Sequence, residues 1–166
     1  MVALVAAVIL TYTLARQATH APARAGATPT VDAAVESYRA MVNADENDLN
    51  FQFTKRFGCK TRSSCADEIQ QVIVVAQKML TDVTGAPAPA PFGELSLQLG
   101  GAVQQFISQM KLALSIVQEP DSDYVAASAA PTMHDVDLAA GLIVCWPHAP
   151  SLVHGGPLTP FVCGTT

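Results

Sequence analysis

A chain of 166 residues, 50% of them hydrophobic and only 14% charged, is long enough for one packed core and too short for two full domains. Aromatics at 6% supply too few rings for a β-sandwich core, and the missing charge is largely replaced by alanine, which suits closely packed helices. The net charge of −5, 9 basic against 14 acidic side chains, sits entirely in the last third, where Glu119, Asp121, Asp123, Asp135 and Asp137 face no Lys or Arg. With no broad cationic face to neutralise phosphates, the composition argues against nucleic acid as a partner.

Residues Met1 to Leu14 carry no charge and predict an apolar N-terminal helix, so residues 1–15 read as a membrane anchor or a signal segment. The run is shorter than the roughly 20 residues of a full span, and no basic residue precedes it. Arg16 and Arg24 follow it, which by the positive-inside tendency would hold the carboxyl side in the cytoplasm. The cysteines weigh the other way. Residues 16–29, rich in Ala, Thr and Pro, read as a flexible tether.

Residues 30–146 predict an all-α antiparallel bundle of three to four main helices. The first helix begins near Thr30, with Val31, Val35, Tyr38, Val42, Leu49 and Phe53 at steps of three to four, interrupted by Asp45. Gly58 is its stop. The second runs from a Ser64 cap, with Asp67 reciprocating, to Gly85. Alternate prolines then predict an extended link from Ala86 to Pro91. A third helix, Phe92 to Gln118, has the widest apolar stripe, extended by Leu97, Ile107, Leu112 and Ile116, and is expected at the centre. Gly100-Gly101 within it suggests close helix contact. A short helix over 121–130 and a last one from Thr132, with Asp135 in a reciprocal cap, end near Cys145. The tail 147–166 contains Pro147, Pro150, Pro157 and Pro160 and predicts an irregular segment.

The 4 cysteines form two local pairs, Cys59/Cys65 across the first turn and Cys145/Cys163 pinning the tail to the last helix. Disulfides persist outside the cytoplasm, so the expected location is the cell membrane, with an extracytoplasmic domain held through residues 1–15, or the secreted space. Three connectivities are open to four cysteines, and the turn geometry favours the local one.

Candidate chemistry is sparse. His134 and Asp137 stand one helical turn apart, and His148 is the nearest further ligand, a set that would suit a metal only if all three converged. No nucleophile–base string such as Gly-x-Ser-x-Gly or His-Glu-x-x-His occurs, no phosphate loop is present, and no cofactor is implied. Lys55, Arg56, Lys60 and Arg62 cluster at the first turn, opposite the acids 119–123, and mark an expected docking surface for a protein partner. Trp146 is expected to cover the Cys145 disulfide.

The apolar N-terminus, the helix bearing Tyr38-Arg39 and Asp45, the cysteine pair at the first turn and the Pro-rich link into Phe92 and Leu95 together resemble a layout of uncharacterised exported bacterial helical-bundle proteins. The resemblance covers about residues 31–118, rests on spacing, and implies a helical bundle with no activity attached. The resulting expectation is a non-catalytic extracytoplasmic domain for protein or envelope interaction. A metal or small-ligand binding module is the alternative.

Overall fold

The computed structural model describes residues 31–146. The predicted anchor (1–15), tether (16–29) and tail (147–166), including His148 and Cys163, lie outside the described residues. Helix α1 spans Val31–Lys55 and tightens into a 3-10 turn over Arg56–Gly58. It is followed by α2 (Arg62–Gly85), α3 (Gly93–Gln118), the short α4 (Tyr124–Ala129) and α5 (His134–Val144). The described chain is all helix and turn, as the small-residue composition requires. No helix among the described residues is long and apolar enough to cross a membrane.

The four longer helices run up, down, up and down. α1 packs on α2 and α5, and α3 packs on α2, α5 and the short α4. Cross-links at both poles fix this order. At the base, the Tyr38 hydroxyl donates to Ser96 Oγ (2.7 Å), bringing the starts of α1 and α3 together. Arg39 there donates to the Val144 carbonyl at the end of α5 (2.6 Å from Nη2, 3.0 Å from Nε). At the opposite pole, Arg62 at the start of α2 donates to the Val117 carbonyl at the end of α3.

The α1 stripe is continuous in space although it is broken in sequence. Val35, Tyr38, Val42, Asp45, Leu49, Phe53 and Arg56 all turn inward at steps of three or four. The apolar members meet Ile69, Val72, Ala76, Met79 and Val83 of α2 and Leu99, Val103, Phe106 and Met110 of α3 in one core. Asp45 keeps its place by pairing with Lys78 of α2, which also holds Asp82 at 2.8 Å. Burial nevertheless pushes the Asp45 carboxyl up, outweighing the attraction of Lys78.

Several local expectations are corrected. The N-cap of α2 is Thr61, whose hydroxyl accepts from the Ser64 N–H (3.1 Å) while Ser64 Oγ accepts from the Thr61 N–H (3.0 Å). Ser64 is therefore the reciprocating partner and not the cap; Thr61 sits at the extended φ of −131° that a cap requires. α5 begins after Met133 with no side-chain cap, so the reciprocal role read for Asp135 is not taken. Leu97 and Leu112 face out, 74% and 63% exposed, because α3 already buries a full stripe on its other side. The proline link is a turn at Ala90–Pro91, closed by Phe92 N–H to Pro89 O (2.7 Å), and not fully extended. Trp146 packs edge-on to Phe92, with ring centroids 5.7 Å apart, which places the indole over the α3 start; Cys163, the expected partner of Cys145, lies outside the described residues.

Cys59 and Cys65 are disulfide-bonded across the α1–α2 turn. Cys65 is fully buried and Cys59 half-buried. Cys145, at the end of α5, is buried and is not a free thiol. The closed loop at the turn is short, so the chain-entropy model gives about 2 kcal/mol for the crosslink. The Cys59→Ser/Cys65→Ser variant is therefore expected to lose about 2 kcal/mol in urea unfolding with its helical circular dichroism retained. A loss of the whole fold, or no loss, would refute that assignment.

Candidate functional site

The pole formed by the α1–α2 turn gathers the four basic residues singled out by the sequence, and the structure gives them different tasks. The Arg56 side chain is fully buried. Its guanidinium donates to the carbonyls of Phe53 (2.8 Å), Ser128 (2.7 Å) and Pro131 (2.8 Å). It also lies 3.3 Å from the Phe53 ring centroid and 4.2 Å from that of Phe57. With no carboxylate against it among the described residues, burial pushes the guanidinium down to about 10, still charged at neutral pH.

Arg62 closes the end of α3. It donates to the carbonyls of Val117, Glu119, Pro120 and Ser122 and to Ser122 Oγ, and so satisfies the acceptors that a helix C-terminus leaves unpaired. Tyr124 completes the lock, its ring 5.1 Å from that guanidinium. Lys55 pairs loosely with Glu68 at 3.6 Å. The Lys60 side chain is exposed and makes no ion pair among the described residues.

Glu119, Asp121 and Asp123 make no side-chain ion pair with these bases among the described residues. Asp123 caps α4 by accepting from the Ala126 N–H (3.0 Å), while Glu119 and Asp121 are exposed. Beside the exposed Lys55, Lys60, Glu119 and Asp121, this pole presents two apolar side chains to solvent, Phe57 (58% exposed) and Val125 (57%). Phe57 was not legible as a surface group. The signal available was its position between Arg56 and Gly58, just past the last inward position of α1.

Of the second predicted cluster, His134 and Asp137 do not converge, and His148 lies outside the described residues. His134 is exposed, whereas Asp137 turns inward, half-buried, with Oδ1 sealed from solvent and unbonded. No ion pair joins them, and no group of three metal-ligating side chains occurs among the described residues. Asp137 instead faces Glu46 of α1, itself 2% exposed and accepting from Asn50 Nδ2 (2.8 Å). Burial, reinforced by the Glu46 charge, pushes the Asp137 carboxyl up to about 7. Burial also raises Glu46, against the hydrogen bond from Asn50.

These features define a disulfide-bearing four-helix bundle whose α1–α2 turn is built by two structural arginines. Set beside known proteins, the chain matches no family model, no curated protein and no solved structure.

Proposed function

We propose that this chain is a membrane-tethered or secreted extracytoplasmic helical domain that works by contact with another protein or an envelope component, without catalysis. The observation that carries the reading is the Cys59–Cys65 crosslink at the α1–α2 turn, since such a bond persists in an oxidising compartment. The apolar run of residues 1–15 supplies the route out of the cytoplasm and, where it is retained, the tether.

Contact is made at the same turn. Phe57 and Val125 stand in water at the pole that also exposes Lys60, and aromatic side chains are enriched at protein interfaces. Arg56 and Arg62 serve from beneath by holding the backbone that displays them. Reversing Arg62 would therefore disturb the fold as well as the surface, so the informative variants are Phe57→Ser and Lys60→Glu.

Two measurements test this. Intact mass under non-reducing conditions, on material fractionated from cells, is expected to show oxidised cysteines in the envelope or secreted fraction. A photo-crosslinker at Phe57 is expected to give a discrete adduct with one partner, lost in Lys60→Glu, while the same group at Leu112 gives none. Four alkylatable thiols in cytosolic protein, or equal adducts from both positions, would dismiss the reading.

A further inference from the structure

At the base of the bundle, the end of α2, the following Ala86-Pro87-Ala88 segment and the first two turns of α3 enclose an open groove of about 770 Å³. Its walls include Leu80, Val83 and Thr84 on one side and Leu97, Gly100 and Gly101 on the other. That volume lies within the range of small-molecule sites. No lining residue is ionisable.

The hydroxyls in the wall are already engaged. Thr84 Oγ1 donates to the Leu80 carbonyl (2.7 Å). Ser96 Oγ accepts from Tyr38 and donates to the Val83 carbonyl (3.3 Å). A charged occupant would therefore lose its hydration and find no counter-charge in the walls. An uncharged apolar occupant meets no such penalty.

The glycine pair sharpens the point. Glycine is the poorest ordinary helix former, so two in sequence inside α3 need a reason. Packing supplies none for Gly100, where an added Cβ would make an ordinary contact 3.5 Å from Thr84 Cγ2. It supplies none for Gly101 either, where a Cβ would meet nothing within 4 Å. Gly101 leaves space on the groove side, and Leu97 stands one turn away, 74% exposed.

We infer that the α2–α3 groove is a binding site for an uncharged apolar small molecule, of the class of a neutral lipid chain, seated between Leu80 and Leu97 over Gly101. This goes beyond the protein-contact reading and does not depend on it, because the groove and the α1–α2 turn lie at opposite poles.

The test is a fluorescence titration of the full chain with the neutral probe N-phenyl-1-naphthylamine, followed by competition with decanol and with decyltrimethylammonium. A saturable one-to-one signal is expected, displaced by decanol and at least about tenfold less well by the charged analogue. Gly101→Leu fills the open space and is expected to weaken the probe about tenfold or more while the melting temperature stays at or above that of the parent. Unsaturable binding, or a Gly101→Leu variant that melts normally and binds equally, would overturn the assignment. So would sedimentation showing a dimer that Gly101→Leu dissociates, since the groove would then belong to a second copy.

Discussion

Replacing Arg56 by alanine is expected to lower the unfolding free energy by about 3–5 kcal/mol, the largest effect of any single polar substitution in the bundle. The size follows from what the guanidinium leaves behind. Phe53, Ser128 and Pro131 each lose a donor; Ser128 is in the last turn of α4 and Pro131 in the connection that returns the chain to α5. Orphaned buried carbonyls cost about 1–3 kcal/mol each, and collapse of the vacated space recovers only part of that. Lysine keeps the charge, but one ammonium cannot span three carbonyls that a planar fork reaches at once, so Arg56→Lys is expected to recover less than half of the loss. Urea unfolding at pH 7 reads the magnitude. Hydrogen exchange reads the location, with amides of residues 128–133 expected to lose protection before those of α2. A loss below about 1 kcal/mol would mean that the connection is held by something other than Arg56.

Arg56 also explains where sequence reasoning stops. Helix existence and order were legible because periodic apolar positions, Gly58, Gly85 and the prolines at 87, 89, 91 and 120 are local signals. The Cys59–Cys65 pairing was legible because a tight turn leaves those residues no nearer partner. What periodicity cannot distinguish is a charged residue that interrupts a stripe from one that continues it. Asp45 and Arg56 occupy the same inward register as Val42 and Phe53. Their partners, Lys78 and the Ser128 and Pro131 carbonyls, lie 33, 72 and 75 residues away. Four clustered bases therefore read as a surface, and two of them are internal struts. The same blindness hid the Glu46–Asp137 neighbourhood. His134 and Asp137 share a turn in sequence, but α5 is almost wholly enclosed on one side, and only its inward residues meet α1.

That neighbourhood dictates an unusual dependence of stability on pH. An acid whose folded-state pKa is raised binds its proton more tightly when folded, so its stabilising effect is full below the unfolded value near 3.8. The effect is lost as pH climbs through the folded value, about 7 for Asp137. Glu46 and Asp45 shift the same way, whereas Asp82, lowered by Lys78, acts oppositely and only at the acid end. The full shift of Asp137 corresponds to about 4 kcal/mol, and partial solvent access reduces that to about 2–3 kcal/mol. The parent protein is accordingly expected to lose about 1–2 kcal/mol between pH 5 and pH 8, where many proteins are near their maximum, the rest of the loss falling below pH 5. Asp137→Asn keeps the shape and removes the charge. Its advantage over the parent should grow by about 1–2 kcal/mol from pH 5 to pH 8, with a melting temperature several degrees higher at pH 8. Glu46→Gln should give part of the same gain, because it removes the charge that raises Asp137, and the double variant should gain less than the sum of the two. The comparison of variant with parent at each pH cancels titrations elsewhere in the chain. A parent whose stability rises from pH 5 to pH 8, together with an Asp137→Asn variant destabilised at pH 8, would show that this carboxylate is held in its charged form by a partner.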